Sequence, residues 1–219
     1  MKPKVITIDG PACSGKGTIA RRLADRLEFA YLDTGMLYRI VAYADTDPGN
    51  FAVFSARDVL SIADSAPEGI LRSDAVGRKA SEIAVLPQVR EIITKLQRDF
   101  IAHPGDGYAG SVLDGRDTGT AVAPDADCKI FVTADLEVRA KRRFDFLKET
   151  NPNLTFEEIL QSLTLRDEQD QSRAIAPMIC DDNYVILDTS LDSPEESVAK
   201  AFEIVRRKLD RPLENECSD

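Results

Sequence analysis

The sequence contains few of the residues on which many hydrolases and metalloenzymes rely. Its 219 residues include one histidine, His103, and no tryptophan. A Ser-His-Asp hydrolase and a metal site with several histidine ligands are therefore both hard to build from this chain. Catalysis would have to rest on lysine, arginine and aspartate side chains and on backbone amides, with or without a metal ion.

Cysteine pairs and long apolar runs are also missing. The four cysteines are Cys13, Cys128, Cys180 and Cys217, and they form no C-x-x-C pair and no zinc-site spacing. Because no secretory signal is visible, we expect a reducing, cytoplasmic location. The longest apolar runs are too short to cross a bilayer, so we expect no membrane association.

Acidic residues outnumber basic residues, 38 to 28, which gives a formal net charge of −10. Such a chain repels a nucleic-acid backbone, and binding to a nucleic-acid polymer is not expected. A small anionic ligand can still be held where basic residues converge. The length and the 43% share of hydrophobic residues suit one core with a modest insertion.

Short β-branched segments alternate with amphipathic ones along the chain, and this alternation predicts an α/β fold. Strands are predicted over residues 5–8, 29–32, 111–113, 128–132 and 184–187. Helices are predicted from residue 16 onward and over 36–43, 137–149 and 156–173, with a last helix after Ser193. This order indicates a parallel sheet covered on both faces. Residues 45–110 have weak strand signals and are expected to form an insertion, with helices around 55–63, 74–84 and 89–101.

A phosphate-binding motif lies between the first predicted strand and the first predicted helix. Residues 10–16 match the spacing G-x-x-x-x-G-K, in which backbone amides and a helix N-terminus surround phosphate oxygens. Lys16 would bridge the β- and γ-phosphates of ATP, and Thr18 is the expected Mg²⁺ ligand. The predicted ATP-binding loop is Gly10, Pro11, Ala12, Cys13, Ser14, Gly15, Lys16, Gly17 and Thr18. The alternatives are a glycine-rich turn without a ligand and, at Cys13, an incidental small residue or an activated thiol.

Four stretches in the same order make the chain resemble bacterial cytidylate kinases over nearly its whole length. They are residues 8–18, 32–39, 113–120 and 173–177. The resemblance implies a three-layer P-loop kinase core with a five-stranded parallel sheet, formed by residues 1–44 and 111–219. It also implies a nucleoside-monophosphate-binding insertion at 45–110 and a short lid at about 137–165. The implied reaction transfers the γ-phosphoryl of ATP to CMP or dCMP with Mg²⁺, and we expect a monomer.

The resemblance also assigns roles to individual residues. Arg39 would grip the acceptor phosphate, and Asp117 would accept from the cytosine amino group. Asp114 would orient a Mg²⁺-bound water. The implied acceptor-binding set is Asp33, Thr34, Tyr38, Arg39, Ser81, Arg90, Asp117, Arg166, Asp170 and Arg173. The implied catalytic set is Lys16, Arg116, Arg166 and Arg173, and the lid would add Arg142 and Arg143 to the ATP site.

Several plainer interpretations remain open for these residues. Asp114 and Gly115 are typical of a tight turn, and Arg166, Asp170 and Arg173 at helical spacing are typical of a solvated, ion-paired face. In the basic cluster Arg139, Lys141, Arg142 and Arg143, a Glu137–Lys141 pair would support the helix.

The choice of acceptor is the least determined part of the prediction. The insertion is shorter and more helical over 51–68 than in the resembled family, which leaves CMP, dCMP and UMP open. The rival functions are a P-loop kinase for UMP, AMP or shikimate and a nucleotide-binding regulator that transfers nothing. An adenylate kinase would carry Asp-Gly-Phe-Pro-Arg where this chain has Asp-Gly-Arg-Asp at 114–117.

Overall fold

Five short parallel strands form a single sheet in the computed structural model, which describes residues 2–44, 56–149 and 151–210. The strands are β1 (Lys4–Asp9), β2 (Ala30–Asp33), β3 (Gly110–Gly115), β4 (Cys128–Thr133) and β5 (Val185–Asp188). Their order is β2-β3-β1-β4-β5, with β1 in the centre. The predicted five-stranded parallel sheet is therefore confirmed. The first part of the predicted insertion, residues 45–55, lies outside the described residues.

Nine α-helices and one π-helical turn, Thr118–Val122, connect and cover the strands in the described part of the chain. The helices are α1 (Lys16–Leu27), α2 (Thr34–Ala44), α3 (Ala56–Ser65), α4 (Glu68–Leu71), α5 (Asp74–Ile83), α6 (Pro87–Ala102), α7 (Leu136–Lys148), α8 (Phe156–Ser172) and α9 (Pro194–Leu209). Helices α8 and α9 begin with complete capping boxes, at Thr155 and Ser193. These helices confirm the predicted starts at residue 156 and directly after Ser193.

The two faces of the sheet are covered by different helices. Side chains alternate along β1, so that Ile6 and Ile8 belong to a core formed with α1 and α9. Val5 points to the opposite face, where it packs with Leu113 and Val122. A separate apolar cluster is formed by α2 together with α3, α4, α5 and α6. The carboxyl edge of the sheet is left for polar residues that follow the strands. No helix in the described ranges combines the length and the apolar character that a bilayer crossing requires.

Three local predictions are wrong. Helix α2 begins at Thr34 rather than at residue 36, because the Asp33 carboxylate caps it by accepting from the Met36 amide at 3.0 Å. Arg173 lies beyond the end of α8 in an extended conformation (φ −61°, ψ 138°), so it does not continue the predicted helical face. Lys141 pairs with Asp145 rather than with Glu137.

Candidate active site

The loop after β1 has the backbone of an anion-binding nest. Gly10, Cys13 and Gly15 have positive φ angles of 149°, 61° and 89°, and α1 begins directly after Gly15. Residues in this conformation turn successive N–H groups toward one point, and the helix N-terminus adds positive potential there. At Gly10 a Cβ atom would lie 2.0 Å from the Val132 carbonyl oxygen, so only glycine fits. The geometry is that expected of a phosphate-binding loop.

A cavity of about 330 Å³ opens beside this loop, and we call it the central cavity. It is lined by seven cationic side chains, which are Lys16, Arg39, Arg72, Arg78, Arg116, Arg143 and Arg166. Burial, followed by the charge of Arg116, lowers the pKa of Lys16 to about 8, and burial with the charge of Arg166 lowers that of Arg39 to about 10. The Nε of Arg166 is buried and has no hydrogen-bond partner among the described residues. These crowded cations would all be stabilised by a polyanionic ligand.

Two carboxylates face these cations from the ends of neighbouring strands. Asp33 and Asp114 are register partners on β2 and β3. The Tyr31 hydroxyl donates to Asp114 Oδ2 at 3.1 Å, and burial, followed by the charge of Asp33, raises the pKa of Asp114 to about 6. A Cβ atom on Gly17 would lie 2.9 Å from Asp114 Oδ2, so this carboxylate lies directly against the start of α1.

Arginines and aspartates alternate along one buried row beside the central cavity. Arg90 pairs with Asp117, and Arg173 Nη2 donates to the other oxygen of Asp117 at 3.0 Å. Asp170 connects Arg173 to Arg116: its carboxylate lies 3.9 Å from Arg173 Nη1 and accepts from Arg116 Nε at 2.9 Å. All five side chains are at most 15% exposed. Residues predicted as separate ligand contacts are thus brought together as partners of one another.

A smaller cavity of about 60 Å³ adjoins the central one and contains most of the remaining predicted acceptor residues. We call it the side cavity; its lining includes Thr34, Tyr38, Ser81, Asp117, Asp170 and Arg173. The Arg90 guanidinium lies 5.9 Å from the ring centroid of Tyr38, and burial raises the pKa of this tyrosine to about 12. Arg90 itself does not line the side cavity, but it contacts Tyr38 and Asp117, which do.

The two predicted lid arginines have different surroundings. A third cavity of about 640 Å³, the outer cavity, is lined by Gly15, Thr18, Arg142 and Arg143 among others. Arg142 donates to both the side-chain and the backbone oxygen of Thr189, at 3.1 and 2.6 Å. Arg143 pairs instead with Asp74 on α5. Of the predicted loop, Gly10, Pro11 and Ser14 are buried and line none of these three cavities.

Sequence reasoning missed several residues at this edge of the sheet. Arg72 lines both larger cavities and lies 3.6 Å from the Asp33 carboxylate, but no motif marks it in the sequence. Thr189 follows β5 directly, and its position at a strand end was a signal that could have identified it. The sequence places Arg139 in a basic cluster with Arg142 and Arg143, but Arg139 is buried and pairs with Asp167 at 2.6 Å.

An anion nest at the carboxyl edge of a parallel sheet, with cations converging over it from distant segments, defines a P-loop kinase site. Two solved structures share the fold at 13% identity, which is evidence for the fold alone. An uncharacterized protein from Eubacterium ventriosum has a TM-score of 0.55, covering 94% of this chain and 99% of its own. A shikimate kinase from Bacteroides thetaiotaomicron has a TM-score of 0.50, covering 93% and 98%.

Residues 6–207 match the family model described as cytidylate kinase, and the chain belongs to this family. Its relatives include a cytidylate kinase from Rhodospirillum rubrum, 44% identical over 212 residues, which are 93% of this chain and 98% of that protein. A cytidylate kinase from Azorhizobium caulinodans is 45% identical over 207 residues, with the same coverage of both chains. The resemblance drawn from the four sequence motifs is confirmed.

Proposed function

We propose that this protein transfers the γ-phosphoryl group of ATP to CMP or dCMP, giving ADP and CDP or dCDP. The observation that carries the proposal is the convergence of Lys16, Arg39, Arg116 and Arg166 on one cavity beside the anion nest. Phosphoryl transfer needs in-line positioning of two nucleotides and neutralisation of charge on the transferring group. The cations around this cavity supply the second requirement without a histidine.

The donor nucleotide would lie in the outer cavity with its phosphates in the nest. Lys16 lines both the outer and the central cavity, so its ammonium can contact the β- and γ-phosphates. Arg142 is held at the outer cavity by Thr189, on the side where Gly15 and Thr18 open toward solvent. We assign it to the donor nucleotide.

The acceptor nucleotide would lie with its phosphate in the central cavity and its base in the side cavity. Arg39 is oriented by the carbonyl oxygens of Leu71 and Ser73, at 2.7 and 3.0 Å, and presents the rest of its guanidinium to the central cavity. Ser81 and Asp117 line the side cavity. A carboxylate has about four acceptor positions, so Asp117 can accept from a cytosine amino group beside Arg90 and Arg173.

A magnesium ion fits the oxygen ligands near the nest. The described residues contain no group of three or more His, Cys, Asp or Glu side chains that would hold an ion alone. Mg²⁺ is commonly bound by one or two protein oxygens together with substrate phosphates. Thr18 and, through water, Asp114 would hold it here. When bound, the ion supplies charge neutralisation at the transferring phosphate, while Lys16 and the arginines position the two nucleotides.

Residues 45–110 would then act as the acceptor-binding insertion and residues 137–165 as a lid. Closure of both segments would exclude water, which otherwise competes with the acceptor for the phosphoryl group. We also propose a cytoplasmic monomer. The unpaired state of Cys13, Cys128 and Cys180 supports a reducing compartment.

A coupled assay of ADP release with CMP, dCMP, UMP, AMP and shikimate tests the proposal. We expect release to depend on the acceptor, with the highest kcat/KM for CMP or dCMP. Lys16→Ala should lower kcat by at least about 100-fold. Faster turnover with AMP than with CMP would refute the roles of Ser81, Arg90 and Asp117. ATP hydrolysis unaffected by any acceptor would indicate a nucleotide-binding regulator instead.

A further inference from the structure

The carboxylate of Asp9 lies outside the three cavities and receives four hydrogen bonds in the protein interior. Asp9 is 0% exposed to solvent. Oδ1 accepts from the amide and the hydroxyl of Thr118, at 2.9 and 2.8 Å. Oδ2 accepts from the Gly119 amide at 2.8 Å and from the Tyr184 hydroxyl at 2.6 Å. Four converging donors hold the carboxylate in one orientation.

These bonds join three segments that are far apart in the sequence. Asp9 is the last residue of β1 and directly precedes the nest. Thr118 and Gly119 form the start of the π-helical turn that follows Asp117, and Tyr184 directly precedes β5. The first N–H groups of a helical turn have no partner within that turn. Asp9 supplies this partner from a different strand and so caps the turn.

Little space remains for the turn to shift. A Cβ atom on Gly119 would lie 2.5 Å from the Tyr184 hydroxyl oxygen and 2.6 Å from Thr7 Oγ1. Asp117, immediately before the turn, places its carboxylate between Arg90 and Arg173. A rotation of the turn would therefore move the Asp117 carboxylate relative to both arginines and to the side cavity.

We propose that Asp9 is a positioning residue for Asp117 and thereby sets the preference for cytosine over uracil in the acceptor. The inference rests on the proposed function, in which Asp117 accepts from the cytosine amino group. Uracil carries a carbonyl oxygen where cytosine has the amino group, so a correctly placed Asp117 carboxylate attracts CMP and repels UMP. If Asp117 is displaced, both effects are lost and the preference for CMP falls. A purely structural Asp9 would affect both acceptors alike.

The test compares kcat/KM for CMP and UMP at saturating ATP in Asp9→Asn, Tyr184→Phe and Thr118→Val. In Asp9→Asn an NH₂ group replaces one carboxylate oxygen, and it cannot accept the hydrogen bonds that this oxygen received. The other two variants each remove a single donor to Asp9. We expect the CMP-to-UMP ratio to fall about tenfold in Asp9→Asn and about threefold in the milder variants. The KM for ATP should change less than about twofold.

Ser111→Ala is the matched control. Ser111 is buried on the neighbouring strand β3, and its hydroxyl has no hydrogen-bond partner among the described residues. Its CMP-to-UMP ratio should equal that of the wild type. All assays are run well below the lowest melting temperature in the set.

An unchanged ratio in Asp9→Asn, with kcat/KM lowered equally for both acceptors, would overturn the inference. If Asp9→Asn does not fold, Tyr184→Phe and Thr118→Val decide: a lowered ratio supports the inference and an unchanged ratio overturns it. Failure of the proposed function is visible separately. In that case the wild type itself would show no preference for CMP over UMP.

Discussion

Arg143 on α7 forms an ion pair with Asp74 in the first turn of α5. The same guanidinium nitrogen lies 3.5 Å from the Arg72 carbonyl oxygen, and both Arg143 and Asp74 line the central cavity. The contact joins the proposed lid to the proposed insertion across the cavity. It must therefore break whenever these two segments separate.

Removing this ion pair should loosen the enzyme before nucleotides bind. In Asp74→Asn we expect backbone amides of α5 and α7 to exchange hydrogen about 3- to 10-fold faster, because a half-exposed pair contributes about 0.5–1.5 kcal/mol. Hydrogen-exchange mass spectrometry of the nucleotide-free protein measures this. Asp99→Asn, an exposed position on α6, is the control and should leave both helices unchanged. Equal exchange in Asp74→Asn and the wild type would show that the pair does not hold the segments together.

Gly77 on α5 should be required for the position of Arg39. A Cβ atom there would lie 2.7 Å from Arg39 Nη2, so alanine must push the guanidinium away. In Gly77→Ala we expect the KM for CMP to rise about 5- to 10-fold, with the melting temperature changed by less than about 3 °C because alanine favours the helix. Steady-state kinetics at saturating ATP tests this.

Gly69→Ala is the matched control for Gly77→Ala. Gly69 is also helical, on α4, and its Cβ atom would meet no atom within 4 Å. The control should keep the wild-type KM for CMP. The same KM in both variants would contradict the role given to Gly77.

Lys16 should favour phosphoryl transfer but lower the stability of the folded protein when no nucleotide is bound. Its pKa is lowered by burial to about 8, below the 10.5 of the unfolded chain. Between these values the folded state binds fewer protons, so wild-type stability rises with pH over that window. Without nucleotide or metal, Lys16→Met should therefore be more stable than the wild type at pH 7, by about 1–3 kcal/mol, and this difference should shrink toward pH 10.

Urea denaturation at pH 7 and pH 10, with EDTA present, measures both stabilities. Lys200→Met, which removes an exposed lysine on α9, should change stability by less than about 0.5 kcal/mol at pH 7. A wild type more stable than Lys16→Met at pH 7 would show that the lysine charge is favourable in the free protein.

Thr189 should position the donor side of the site. It is 1% exposed, its hydroxyl donates to the Ser14 carbonyl at 2.9 Å, and it accepts from Arg142 at 3.1 Å. In Thr189→Val both contacts are lost, and we expect the KM for ATP to rise about fivefold with the KM for CMP within about twofold. Thr164→Val, which removes a threonine hydroxyl within α8, should change neither constant. A rise in the KM for CMP alone would assign Thr189 to the acceptor side.

Patterns local to the sequence were sufficient to predict the strands, most of the helix starts and the phosphate loop. Spacing of apolar residues predicts strands and helices, and Ser193 followed by Pro194 marks the start of α9 without reference to any other segment. The loop at 10–18 was predicted for the same reason, because its glycines and Lys16 act on backbone that is contiguous in the chain. Asp33 and Asp114 each stand at the carboxyl end of a parallel strand, and such ends lie at the same edge of the sheet.

Only the tertiary structure decided which charged residue pairs with which. Asp117 pairs with Arg90 and Arg173, Arg139 turns inward to Asp167, and the contacts of Asp9 include a residue 175 positions away. Such pairs depend on distances between segments that the sequence separates by long intervals, and any arginine can pair with any carboxylate. Because these charges are buried, each needs a partner within the protein, and an unpaired one would be strongly destabilising.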